Sequence, residues 1–244
     1  MRQVHMLPRL FCAALAFAVL YLAAAPAAVA QDYAALLAAP DRSAADKTND
    51  ERRKALQLLT FTGPKTGWRV LDMGAGAGYS TELMARAVGK TGKVWGQNTR
   101  AIENFALRLK TPAMANVEPL VRPFDATVPG LPPLDLITFF FAYHDTTFME
   151  VDRAAMNKGL FDALKPGGIL VVADHAARPE DGATVGKSLH RIAEASVRAE
   201  LEAVGFRQIA SADFLRNPED PRSAIVFRQT FRIDEFVLKF RKPR

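Results

Sequence analysis

The stretch Val70-Leu71-Asp72-Met73-Gly74-Ala75-Gly76-Ala77-Gly78 decides the fold. An apolar run ends in an acidic residue. Glycines then alternate with small residues, and Tyr79-Ser80-Thr81-Glu82-Leu83 opens a helical pattern. A buried strand that meets a helix through so small a loop lets a ligand lie against the backbone, because glycine removes the side chains that would block it. A dinucleotide fingerprint reads G-x-G-x-x-G and keeps its acidic residue about 20 positions downstream. Here the third glycine falls one residue early, position 79 is tyrosine, and the carboxylate is on the first strand itself. The Gly-Lys-Ser/Thr of a phosphate-binding loop is absent from this stretch. An acidic residue aimed at the loop suits a ligand that is positively charged there.

Outward from this loop, strands and helices alternate. Residues 31–60 read as helical, with Tyr33 to Leu37, a break at Pro40, and Asp46 to Leu59, whose start is capped by Asn49, Asp50 or Glu51. Trp68 to Asp72 is a strand, Tyr79 to Val88 a helix, Lys93 to Gln97 a strand, and Ile102 to Leu109 a helix. Val117 to Val121 is a short strand. Leu134 to Phe141 is nearly continuous in apolar residues, as a strand buried on both faces should be. Glu150 to Leu164 is a helix stopped by Lys165-Pro166-Gly167-Gly168, and Ile169 to Ala173 a strand. Ala193 to Val204 is a helix ended by Gly205, and Phe206 to Ala210 and Asp234 to Phe240 are two closing strands. This alternation predicts an α/β fold, a parallel sheet with helices on both faces.

The glycine loop, the Gly89-to-Gly96 turn and strand, the Leu164-to-Gly168 turn and the Gly205-Phe206 turn fall in one order and spacing. In this set the chain resembles the class I S-adenosylmethionine-dependent methyltransferase superfamily, over roughly residues 60–210. The resemblance implies a Rossmann-like, doubly wound sheet of seven mostly parallel strands with an antiparallel edge hairpin. More narrowly, Tyr143-His144-Asp145, Asp174-His175, Leu189-His190-Arg191, Leu215-Arg216-Asn217-Pro218 and Phe236-to-Phe240 are similar to a group of exported bacterial proteins known as predicted methyltransferases.

Ligands of open α/β sheets sit beyond the carboxyl ends of the strands. The resemblance places Gly74, Gly76 and Gly78 against the amino-acid part of S-adenosyl-L-methionine, with Asp72 near its ammonium group. After the second strand the superfamily usually has a carboxylate for the ribose hydroxyls; this chain has Gln97-Asn98, without charge-assisted strength. Gln97 otherwise merely ends a strand. After the third, Phe124 and Asp125 match the adenine-contacting positions, although Asp125 equally suits a turn cap. After the fourth come Tyr143, His144 and Asp145. His144 near neutral pKa can take a proton from an attacking hydroxyl while Asp145 orients the ring, or the two form a structural pair. Phe139, Phe140, Phe141, Tyr143 and Phe148 shape an acceptor pocket or belong to the strand core. Asp174, His175 and His190-Arg191 follow the fifth strand, and the stretch 176–189 is a substrate lid or an ordinary loop. His144, His175 and Asp145 match no zinc spacing, so no metal is expected.

Residues 1–30 read as a secretory leader. Arg2 and Arg9 precede or flank an apolar run from Leu10 to Ala25, Pro26 breaks it, and Ala28-Val29-Ala30 suits cleavage before Gln31. The expected domains are therefore the leader (1–30), an N-terminal helical extension (31–60) and a methyltransferase-like domain (61–244), in an exported, periplasmic protein. Cys12 is the chain's only cysteine, so the processed chain can form no disulfide and use no thiolate nucleophile. Removing the leader leaves 30 basic and 26 acidic residues, a net charge of +4. The charges are interspersed, so a nucleic-acid surface is not expected. No membrane span is expected once the leader is removed. Three readings follow: a methyltransferase acting on a small-molecule or envelope acceptor, an exported binding protein that kept the fold, or a domain held by an uncleaved anchor.

Overall fold

The computed structural model describes Met1, residues 31–126 and residues 130–244. The leader expectation, residues 1–30, therefore lies outside the described residues apart from Met1. Gln31–Arg244 form one compact unit.

The chain opens with three helices, α1 (Tyr33–Leu37), α2 (Ala44–Arg52) and α3 (Ala55–Thr62). It continues through β1 (Arg69–Met73), α4 (Tyr79–Val88), β2 (Lys93–Asn98), α5 (Glu103–Arg108), β3 (Val117–Val121) and β4 (Leu134–Phe140). The second half is α6 (Arg153–Ala163), β5 (Leu164–His175), α7 (Gly186–Leu189), α8 (Glu194–Ala203), β6 (Arg207–Ala212) and β7 (Glu235–Arg241). The seven strands form one sheet in the order β3-β2-β1-β4-β5-β7-β6. β1 to β5 are parallel neighbours, and β7 runs antiparallel between β5 and β6.

Strand alternation explains the two hydrophobic layers. Leu71, Ile137, Leu170 and Val172 face one side, where Met156 and Leu160 of α6 and Val197 and Leu201 of α8 cover them. Val70, Leu136 and Val171 face the other, under Leu58 and Leu59 of α3 and Leu83, Met84 and Val88 of α4. Each such aliphatic side chain stabilises the fold by roughly 1.5–3 kcal/mol through burial.

The N-terminal helices are built into this body and do not stand apart as an extension. Arg42 pairs with Asp50, and Asp50 also accepts from the Tyr79 hydroxyl at 2.7 Å. Arg108 bridges Asp46 (2.9 Å) and Glu82 (2.6 Å). The predicted helix from Asp46 to Leu59 is two helices, broken at Lys54, whose φ is +48°. Its start is capped by Ser43, which accepts from the Asp46 N–H, so Asn49, Asp50 and Glu51 lie inside α2. Among the described residues no helix is long and apolar enough to cross a membrane.

Candidate functional site

The strand order reverses direction between β1 and β4, and the ligand position of such sheets is the crevice beyond the carboxyl ends of those strands. A cleft of about 400 Å³ opens there, within the size range of small-ligand sites. The glycine loop forms one wall through Gly74 and Gly76, followed by Asn98, Thr99, Arg100 and Ile102 after β2 and by Phe124 after β3. Ala142, Asp145, Phe148, Met149 and His190 form the opposite end.

Gly76 has φ +54°, and a Cβ built on it would meet nothing nearer than the Gly74 carbonyl at 4.0 Å. Its bare edge thus borders space that a side chain would occupy. Asn98 holds the loop in this shape. Its Oδ1 accepts from the Gly76 N–H at 2.8 Å, and its Nδ2 donates to the Gly76 carbonyl at 3.2 Å.

Four of the residues assigned to cofactor binding from sequence, Gly74, Gly76, Asn98 and Phe124, line this cleft. The other four do not. Asp72 is fully buried behind the loop and accepts hydroxyl bonds from Ser80 (2.8 Å), Thr81 (2.6 Å) and Thr138 (2.7 Å). Burial raises its pKa above the usual carboxylate value, against the pull of those hydroxyls. Gly78 is the residue before α4, packed so closely on Phe105 that a Cβ would lie 2.6 Å from that ring. Gln97 points into the protein and donates to the carbonyls of Arg122 (3.3 Å) and Pro123 (3.0 Å). The Asp125 carboxylate accepts from the Asp152 N–H at 3.0 Å, next to the start of α6.

The acceptor end also differs from expectation. Tyr143 is wholly buried, donates to Glu200 at 2.8 Å and accepts from Asn157 at 2.7 Å, so its hydroxyl turns away from the cleft. Thr146 Oγ1 donates to the Tyr143 carbonyl in a tight turn that leaves Ala142 and Asp145, but not Tyr143, on the cleft. Phe139 and Phe140 belong to the core.

His144 is buried, and two carboxylates hold its ring, Asp174 of β5 on Nδ1 and Asp145 on Nε2. Asp174 Oδ1 meets His144 Nδ1 at 2.7 Å, and Oδ2 accepts the His144 backbone N–H at 2.7 Å. The other ring nitrogen, Nε2, lies 3.1 Å from Asp145 Oδ1 and 3.3 Å from His190 Nδ1. Burial opposes charge on this imidazole, but the two carboxylates prevail and carry its pKa up to about 10. A histidine held as imidazolium donates and cannot accept a proton. The base role read from sequence therefore requires that this charge be displaced first. Burial pushes the Asp145 carboxylate up, and the bonds and charges of His144 and His190 together leave its pKa below the usual value.

One residue of the cleft and one near the start of α4 carried no sequence assignment of their own. His190, the residue just after the 176–189 stretch, reaches the cleft with φ +54°. Arg53, from the N-terminal helices, stacks its guanidinium 4.0 Å over the Phe141 ring. Burial, then the neighbouring Arg52, lower its pKa to about 10, and among the described residues no carboxylate lies within ion-pair distance of it.

This fold and cleft are those of class I S-adenosylmethionine-dependent methyltransferases, and S-adenosyl-L-methionine is the cofactor of that class. The chain belongs to the protein-L-isoaspartate(D-aspartate) O-methyltransferase (PCMT) family, whose model matches residues 51–179. A protein-L-isoaspartate O-methyltransferase of Methanosarcina mazei is 36% identical over 110 residues, 43% of this chain and 40% of that protein. The chain thus spans about two fifths of that relative's length. A ubiquinone/menaquinone biosynthesis C-methyltransferase of Salmonella arizonae is 27% identical over 66% of this chain and 65% of its own. A solved S-adenosylmethionine-dependent methyltransferase from Aquifex aeolicus superposes with TM-score 0.57 at 20% identity, covering 76% of this chain and 88% of that one.

Proposed function

We propose that the protein is an exported S-adenosylmethionine-dependent methyltransferase acting on a small-molecule or envelope acceptor. The observation that carries this reading is a cleft with the open edge of Gly76 at one end and Asp145, His190 and Phe148, backed by the buried His144, at the other. Gly76 and Asn98 would meet the cofactor, Phe124 would pack on its base, and Arg53, whose guanidinium lies 5.9 Å from the ring of Tyr79 at the start of α4, would meet its carboxylate. The bound sulfonium supplies an already activated methyl group. What remains for the chain is to align the acceptor and exclude water, which Phe148 and Met149 serve on the apolar side of the acceptor end. Export rests on the leader read in residues 1–30, with cleavage between Ala30 and Gln31.

Calorimetric titration of the purified protein with S-adenosyl-L-homocysteine tests the cofactor half. Saturable binding to one site, lost in Gly76→Val, is expected; no binding at millimolar concentration refutes it. An isoaspartyl peptide, the acceptor for which the Methanosarcina relative is named, belongs in the acceptor assay beside small hydroxyl compounds.

A second reading, a binding protein that kept the fold, is favoured by one observation. Gln97 donates to backbone carbonyls, and among the described residues no carboxylate lines the β2 side of the cleft. Identifying whatever co-purifies in the cleft separates the two: the cofactor or its demethylated product supports the enzyme, an unrelated ligand the binder.

A further inference from the structure

His144, Asp145 and His190 each direct one ligand atom at a common point. His144 Nε2 lies 3.1 Å from Asp145 Oδ1 and 3.3 Å from His190 Nδ1, and the last two are 3.4 Å apart. Zinc and its neighbours bind nitrogen and oxygen at about 2.0–2.2 Å, so adjacent ligands stand about 3.0 Å apart at right angles and about 3.4 Å at the tetrahedral angle. The observed triangle fits between those limits on all three sides. We propose that these three residues form a two-histidine, one-carboxylate site for a divalent first-row transition ion at the acceptor end of the cleft.

Three independent features of the fold support the assignment. The first is the outer partner of His144. Metal-binding histidines typically give their other ring nitrogen to a carboxylate or carbonyl, which fixes the ring and the tautomer. Asp174 does this to Nδ1 at 2.7 Å, and is itself fixed by the backbone N–H groups of His144 and His175. The second is how His190 arrives. It sits 46 residues from His144, at the end of α7, in a left-handed conformation that few non-glycine residues adopt. α7 lies so close to the turn bearing His144 and Asp145 that a Cβ on Gly186 would fall 1.9 Å from Thr147 Oγ1 and 2.7 Å from the His144 carbonyl. Strain and close approach are both spent on bringing this imidazole to that one point. The third is access. Asp145 and His190 border the cleft, while Phe148 and Phe227 pack their rings 5.7 Å and 4.7 Å from the His190 ring. An ion held by the three residues would keep its remaining positions toward the space beside Gly74 and Gly76.

His175 is not part of the site. Its Nδ1 turns to Glu235 at 3.0 Å, so the histidine trio visible in sequence resolves into one ligand pair and one bystander.

Chelator-treated protein is titrated with Co²⁺, followed by its d–d absorption, and with Zn²⁺ by calorimetry. One ion per chain is expected, with an absorption spectrum characteristic of mixed nitrogen and oxygen ligation. His190→Asn and Asp145→Asn should each weaken binding by more than about 100-fold, and Asp174→Asn by about 10–100-fold; His175→Asn should leave it unchanged. Absence of Co²⁺ and Zn²⁺ binding at 100 µM to folded wild-type protein would overturn the site, as would binding that survives both ligand substitutions. The wild-type spectrum tests the ligand set even if a variant fails to fold. S-adenosyl-L-homocysteine is titrated in parallel, so loss of the ion with retention of this ligand is read separately from failure of the methyltransferase assignment.

Discussion

Arg191→Met should cost about 3–5 kcal/mol of stability, the usual penalty for leaving one partner of a buried ion pair alone. Arg191 and Asp220 pair at 2.8 Å with both side chains fully buried. The guanidinium also donates to the carbonyls of Ala176 (3.0 Å) and Ala224 (3.1 Å), and to the second Asp220 oxygen at 3.2 Å. It ties the end of β5 and the residue after His190 to the segment between β6 and β7. Methionine fills much of the same space, so the loss would be chiefly electrostatic. The N–H groups of Asp234 (2.7 Å) and Arg222 (2.9 Å) still hold the Asp220 carboxylate, which points to the lower part of the range. At about 2–4 °C per kcal/mol for a chain of this size, the melting temperature should fall by roughly 6–20 °C. Urea unfolding should show a lower midpoint with an unchanged slope. The double variant Arg191→Met/Asp220→Leu removes the stranded carboxylate and should regain much of the loss. A single variant within about 1 kcal/mol of wild type, with no gain in the double, would refute the reasoning.

Tyr143→Phe removes a hydroxyl that bridges Glu200 and Asn157; it should destabilise the protein by about 1–3 kcal/mol in urea unfolding while leaving cofactor affinity unchanged. Gly186→Ala should separate α7 from the turn at His144 and lower Co²⁺ affinity at least 10-fold by titration, with the glycine-loop ligand affinity retained. Asp46 is pushed up by burial and pulled down by Arg108, Ser43 and Arg42 together, so its folded pKa lies below its unfolded value. Its stabilising contribution is present above the unfolded value, about 3.9, and is lost as pH falls through the lower folded value. Arg108→Ala should therefore flatten the acid limb of stability against pH, as followed by thermal unfolding between neutral pH and pH 3.

The sheet was legible because its signals are local. The apolar runs of β1, β4 and β5 and the glycines before α4 each act within a few residues, and the predicted strands match the observed ones closely except β5, which runs from Leu164 to His175 and takes in the Lys165-to-Gly168 segment expected as a turn. What sequence could not show is the direction of a side chain after its strand ends. Gln97 and Asn98 are neighbours at the end of β2, and alternation sends one inward to the Arg122 and Pro123 carbonyls and the other to the loop and the cleft. Tyr143 and Asp145 divide likewise, one into the core and one onto the cleft, at a tight turn that no periodicity marks. His190 was visible as a residue but not as a partner of His144, because the contact is made by a packing event at Gly186. A glycine opening a short helix beside a histidine was the available signal, and by itself it is weak.

Asp72 carries the larger lesson about charge. An acidic residue two positions before a glycine loop invites a ligand with a positive group, yet this carboxylate is sealed in and satisfied by three hydroxyls, two of them from the first turn of α4. It fastens the start of that helix to β1 and, through Thr138, to β4, and so sets the spacing of the two strands whose ends define the cleft. Its effect on a ligand is then transmitted through the position of the loop, without direct contact. The charged side chains that do border the cleft are Arg100 on the β2 side and Asp145 at the other end, beside His144 and His190. A ligand's charge would be read there. Substituting Asp72→Asn should accordingly shift stability more than it shifts ligand selectivity, whereas Asp145→Asn should do the reverse.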